Sequence, residues 1–181
     1  MALSRHLLLM GLRGSGKTSL APRIAAAVRA PWVDLDTRTR EALHSESIIK
    51  AWQVHGEAGF RAAEAAALAR VLTESPSVIA LGGGTPTAPG AVELLRSAAT
   101  AGSTLIYLRV SPESLARRLV AQGGSDRPSL TGRGVVEEIA EVFAARDPLY
   151  SSLATGVVEA GEFDEAGMVA RVLVLVQGLV C

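Results

Sequence analysis

Gly11-Leu12-Arg13-Gly14-Ser15-Gly16-Lys17-Thr18 fits the pattern GxxxxGK[ST], between the apolar run Leu7-Leu8-Leu9-Met10 and a helix-like stretch from Ser19 to Val28. Its glycines let the backbone curl so that successive N–H groups face one anion, and the following helix adds its positive N-terminal end. In such a phosphate-binding loop Lys17 reaches the β- and γ-phosphates of a nucleotide and the Thr18 hydroxyl holds Mg²⁺. The expected nucleotide contacts are therefore Gly14, Ser15, Gly16, Lys17, Thr18 and Ser19. Of the 18 lysines and arginines only Lys17 and Lys50 are lysines. An ammonium kept where arginine is otherwise preferred points to a need for a compact charge. A plain Gly-rich turn is the alternative, disfavoured by the filled signature positions and the strand–loop–helix context.

Outward from the loop, 181 residues suggest one domain spanning 1–181, large enough to bury its own core. An apolar share of 49% with 20% charged residues is that of a soluble globular protein, and zero net charge points to neither nucleic acid nor membrane. The single cysteine, Cys181, rules out a disulfide framework and fits a reducing cytoplasm. The first apolar run is too short for a signal peptide, and Val169 to Val180 is interrupted by Arg171 and Gln177. We expect a cytoplasmic protein acting as a monomer.

Short apolar runs alternate with segments of helical period, the pattern of a parallel sheet with crossover helices. Strands are expected at His6–Met10, Trp32–Leu35, Ser77–Leu81, Thr104–Arg109 and Thr155–Glu159. The first helix is expected to run from the glycine loop to about Arg29. Another starts at Ser111-Pro112-Glu113, with Ser111 as cap and Pro112 in the first helical position, and a last one runs from Asp164 to about Gln177. About forty residues, 36–76, separate the second and third strands, more than a crossover helix needs. This insertion reads as helical, with Ser45 as a cap, Gly56 as a stop and an Ala-rich helix from Glu57 to Thr73. The segment 122–134, with glycines at both ends and Arg127 and Arg133 inside, reads as a mobile lid.

Asp34 and Asp36 stand at the end of the second strand, where strand alternation is expected to put both carboxylates on one side at the ligand-binding edge. One serves Mg²⁺ and the other orients or deprotonates an acceptor hydroxyl; the alternative is a helix cap and a solvated turn residue. Gly82-Gly83-Gly84 follows the third strand and allows close approach of a ligand, or is merely a flexible turn. No acidic residue ends that strand, so Asp34 is the better metal partner. Arg61 and Glu64, three apart on the insertion helix, make either a clamp for a substrate carboxylate or an ordinary surface pair. Arg117-Arg118, Arg127 and Arg146 add positive charge that phosphoryl transfer can use. The histidines His6, His44 and His55 form no ligand cluster; His44-Ser45-Glu46 has the HxE spacing of zinc deaminases without the PCxxC partner.

The ordered set GLRGSGKT, DLD at 34–36, GEAGFRAAE at 56–64, GGG at 82–84, DRP at 126–128 and ARDPLY at 145–150 resembles the shikimate kinase family over nearly the whole chain. The resemblance implies a three-layer α/β/α P-loop kinase fold with a five-stranded parallel sheet of order 2-3-1-4-5. It implies transfer of the γ-phosphoryl group of ATP to the 3-hydroxyl of shikimate, in aromatic amino acid biosynthesis. By position, Asp36, Arg61, Gly82, Gly83, Gly84 and Arg146 match the shikimate-binding residues, and Thr18 and Asp34 the Mg²⁺ site. Arg118, or second to it Arg117, matches an arginine stacked on adenine, and Arg127 the lid arginine. Lys17, Asp36 and Arg127 are the catalytic set so implied. Ser129-Leu130 stands where the family usually has two large apolar residues. Other acceptors remain open, gluconate or a nucleoside monophosphate among them, as does a regulatory nucleotide-binding module without transfer, although no NKxD base-reading motif of a GTPase is present.

Overall fold

The computed structural model describes residues 3–121, 138–160 and 164–176. The expected lid 122–134 and Arg127 within it lie outside the described residues. Five strands, β1 (Leu7–Met10), β2 (Trp32–Asp34), β3 (Val78–Ala80), β4 (Thr104–Arg109) and β5 (Gly156–Glu159), form one sheet in the order 2-3-1-4-5. Every pairing is parallel, with Leu9 level with Ala80 and Ile106, and Asp34 level with Ala80. All of β1 and β3 is buried, as strands covered on both faces must be, while Trp32 and Val157 on the two edge strands are each 43% exposed.

Helix α1 (Lys17–Ala27) packs on β1 and β3, and against the last helix of the fold. It ends before Pro31, because Arg29 takes a left-handed conformation (φ 51°) that closes the helix with Ala30 N–H donating to Ala25 O. The insertion is made of α2 (Leu35–Ala42) and α3 (Ile48–Val71), which pack on each other. Ser47, not Ser45, caps α3 by accepting from Lys50 N–H, and the Ser45 hydroxyl instead donates to Ser47 O. Gly56 interrupts α3 at φ 67°, ψ 177°, a conformation open to glycine. Helices α4 (Ala91–Thr100), α5 (Pro112–Ala121), α6 (Ile139–Leu153) and α7 (Glu165–Leu175) complete the described chain. Contacts run from α3 to α4, from α4 to α6 and from both to β4, while α1 packs with α7, so two helical layers enclose the sheet.

His6 and His44 do structural work. The His6 Nδ1 accepts from Ser77 N–H at 3.2 Å and ties β1 to the start of β3; His44 takes the left-handed position (φ 49°) that ends α2. Among the described residues no helix is long and apolar enough to cross a membrane, and no cluster of three or more His, Cys, Asp or Glu side chains is placed to hold a metal.

Candidate active site

The phosphate loop leaves β1 and returns as the first turn of α1. Inside it, Ser15 N–H donates to Leu12 O at 3.1 Å, closing a turn over Arg13 and Gly14, and Gly14 and Gly16 both carry positive φ. Lys17 is buried, its ammonium donating to Gly11 O (2.8 Å), Leu12 O (3.0 Å) and Ser15 Oγ (3.2 Å). The ammonium is thus held within the loop by the loop's own oxygens.

Beside it, Asp34 serves two neighbours at once. One carboxylate oxygen caps α2 by accepting from Thr37 N–H at 3.0 Å, and that fixes the other to accept from Thr18 Oγ1, also at 3.0 Å. The cap thus aims the second carboxylate oxygen at the phosphate loop. Asp36 corrects the strand argument. Strand β2 ends at Asp34, so Asp36 belongs to the first turn of α2 and reaches the same edge by helical rotation rather than by pleat. A cleft of about 230 Å³ contains it together with Arg13, Gly14, Gly16, Lys17, Thr18, Ser19, Leu81 and Gly83.

The glycine triplet is packed too tightly to be a flexible turn. A Cβ on Gly82 would collide with Glu64 Oε1 and come to 2.5 Å from Asp36 Oδ1, and one on Gly84 would sit 2.6 Å from the Arg61 guanidinium carbon. One on Gly83 would sit 3.0 Å from the backbone nitrogen of Arg13. Absent side chains here let three functional groups close on the same backbone. Arg61 and Glu64 are no surface pair. Glu64 is fully buried, accepting from Arg61 Nη1 at 2.7 Å and from Thr85 Oγ1 at 2.6 Å, while the Arg61 guanidinium lies 5.4 Å from the Trp52 ring. One end of the arginine is thereby fixed by charge and its face by an aromatic ring.

Helix α6 brings the second cation of this side. Arg146 Nη1 donates to Gly83 O at 3.1 Å and the Tyr150 hydroxyl donates to the same oxygen at 2.8 Å. Burial pushes the Tyr150 hydroxyl up to about 12, so it remains a donor across the physiological range. The helix is anchored one residue further on. Asp147 accepts two bonds from the Arg109 fork (2.7 and 3.0 Å) and one from the Tyr107 hydroxyl (2.9 Å), and Tyr107 meets Tyr150 edge to face. Hydrogen bonding to Arg109 holds the Asp147 carboxyl below its usual range. Its stabilisation is complete above the unfolded carboxylate pKa of about 4 and is lost as pH falls through the lower folded value. Because Arg109 is well exposed, Asp147→Asn is expected to cost only about 1 kcal/mol at pH 7. Urea titrations of both proteins should show that gap closing below about pH 4; a gap that persists there would place the effect elsewhere.

On the other side of the phosphate loop Arg118 donates to Gly14 O at 3.3 Å and to Ala160 O at 2.9 Å, whereas Arg117 turns back to Ser114 on its own helix. Of the two, Arg118 is the one placed beside the loop, in a second cleft with Ser19, Asp164 and Met168. Thr18, Lys17, Asp34, Asp36, Arg61, the glycines and Arg146 thus gather at one sheet edge, with Arg118 flanking. Glu64 and Tyr150 belong to the same group. Both lay inside the quoted motifs, and the i,i+3 spacing already tied Glu64 to Arg61.

A phosphate loop at the end of the central strand, a carboxylate pair next to it and two guanidinium groups on the neighbouring glycine turn define a P-loop small-molecule kinase. The family model "Shikimate kinase" matches residues 13–177. Shikimate kinase 2 of Sodalis glossinidius is 36% identical over 164 residues, covering 88% of this chain and 89% of that one. The chain belongs to the shikimate kinase family. Among solved structures it is similar to shikimate kinase from Acinetobacter baumannii in complex with shikimate (TM-score 0.85, 24% identity, 96% and 93% of the two chains). It is likewise similar to shikimate kinase from Bacteroides thetaiotaomicron (TM-score 0.78, 28% identity, 96% and 98%).

Proposed function

We infer that the chain transfers the γ-phosphoryl group of ATP to the 3-hydroxyl of shikimate. The observation that carries this reading is the acceptor side of the cleft: Arg61, buried and fixed by Glu64, rests on Gly84, and Arg146 rests on the carbonyl of Gly83. Two guanidinium groups meeting on consecutive residues suit a carboxylate-bearing acceptor, which a bidentate fork recognises better than an ammonium does.

In this reading Asp36 lies in the cleft with Lys17 and accepts the proton of the attacking hydroxyl, while Lys17 neutralises charge on the β- and γ-phosphates. Gly14, Ser15, Gly16 and Ser19 hold the phosphates through the loop, and Arg118 borders the nucleotide's other end. The donor set fits Mg²⁺. A hydroxyl and a carboxylate oxygen meeting beside the phosphate loop are the hard oxygen donors this ion takes, and a site with few protein ligands suits an ion that keeps water and phosphate oxygens. Thr18 and Asp34 would hold the ion, which when bound draws charge from the phosphate oxygens. Arg127 is kept as the lid's contribution on sequence grounds alone. We propose a single-domain monomer.

Coupled detection of ADP release with shikimate, gluconate and AMP offered in parallel tests the assignment. Shikimate-dependent turnover should exceed that with the other two by at least about 10³ in kcat/KM, since a site built for one set of polar groups rejects analogues lacking them. Turnover that ignores shikimate, or prefers gluconate or AMP, would sink the reading.

A further inference from the structure

The cleft between donor and acceptor groups holds one more cation. Arg13 lines it together with Lys17, Thr18, Asp36 and Gly83. It is half-buried at the first corner of the turn that Ser15 N–H closes onto Leu12 O, and its backbone is the part of the phosphate loop nearest to Gly83. The loop's own lysine is drawn inward onto Gly11 O, Leu12 O and Ser15 Oγ. The backbone of Arg13 lies on the side of the loop that faces Gly83.

That side has an electrostatic problem. The carboxylate of Asp36 and an incoming γ-phosphoryl group occupy one small cleft, and two like charges about 4 Å apart repel by roughly 4 kcal/mol at the effective dielectric of a protein surface. Arg13 lines the same cleft; a guanidinium brought to that charge would offset the repulsion, and its planar fork can bind two phosphoryl oxygens at once.

We propose that Arg13 is a catalytic residue that binds the γ-phosphoryl oxygens on the acceptor side during transfer and keeps hold of the phosphate on the product. The assignment rests on the kinase reading above. In the step it serves, the bond from the acceptor oxygen to phosphorus forms and the bond from phosphorus to the β,γ-bridging oxygen breaks. The bonding electrons leave with ADP, and the hydroxyl proton passes to the Asp36 carboxylate. A cation aimed at charge that moves between two molecules acts on the transition state more than on either ground state.

Arg13→Met keeps the length of the side chain and removes its charge. Its kcat should fall about 100-fold, the effect of removing one preorganised donor, with ADP affinity and KM for shikimate changed less than about threefold. Thermal midpoints should match. Binding without turnover supplies a second readout: affinity for shikimate 3-phosphate should drop about tenfold in the variant while affinity for shikimate holds. Arg13→Lys should recover part of both losses, since the charge returns without the fork. Wild-type kcat in Arg13→Met, or a loss of ADP affinity as large as the loss in kcat, overturns the assignment. A wild-type chain that ignores shikimate sinks the acceptor reading instead, so the two failures are distinguishable.

Discussion

Arg61→Ala is expected to lose its acceptor and much of its stability together. The guanidinium neutralises a fully buried carboxylate, and with the arginine gone Glu64 retains only the Thr85 hydroxyl among the bonds described above. Removing one partner of a buried ion pair costs about 3–5 kcal/mol, a large share of the total stability of a domain this size. In the function proposed above the same change removes one of the two cations that hold the acceptor, so KM for shikimate should rise about 100-fold while KM for ATP moves only a few-fold. The double variant Arg61→Ala/Glu64→Gln separates the effects. A neutral amide no longer needs the arginine, so denaturation should recover by 1 kcal/mol or more, by order of magnitude, while the defect in shikimate binding stays. A single variant that keeps wild-type stability and KM would mean that neither the burial nor the clamp matters.

Lys17→Ala should abolish measurable turnover, with kcat lower by about 10³ or more. Its ammonium has two tasks. It binds two loop carbonyls and the Ser15 hydroxyl, and in the function proposed above it also neutralises the phosphate oxygens. Substitution therefore removes transition-state charge and also loosens the loop that presents the backbone N–H groups. ADP affinity, measured by calorimetry, should weaken about tenfold, well short of the loss in rate, because a phosphate already bound by the loop and helix gains most from the lysine as charge redistributes. Retention of more than about a tenth of the wild-type kcat would assign the lysine a structural task only.

The sheet was legible because its strands are short, apolar and bounded by turns, and β4 was placed to the residue. Boundaries shifted where a side chain overrode the pattern. Asp34 ended β2 by capping the next helix, which moved Asp36 from pleat to helix; alternation could not foresee this because the cap acts through Thr37, three residues on. Ser45 and Ser47 are equally good caps by composition, and only the path of the chain chose between them. The burial of Arg61 and Glu64 had a sequence signal that two-residue reasoning passed over. Phe60, Leu68 and Val71 are buried on the same helix at spacings that put residues 61 and 64 on the inward stripe. The bonds from Arg109 and Tyr107 to Asp147 span some forty residues, and those from Arg146 and Tyr150 to Gly83 more than sixty. No local pattern encodes such partners.

The phosphate loop and the glycine turn are emitted by β1 and β3, which are direct neighbours with Leu9 level with Ala80. Hydrogen-bonded strands stand about 4.8 Å apart and do not stretch. The distance between the roots of the phosphate loop and the glycine turn is therefore gauged by backbone pairing in the buried centre of the sheet. A change on α2 or α3 that leaves Asp36 and Arg61 in place can alter which molecule is held, and the pairing of β1 with β3 stays as it was.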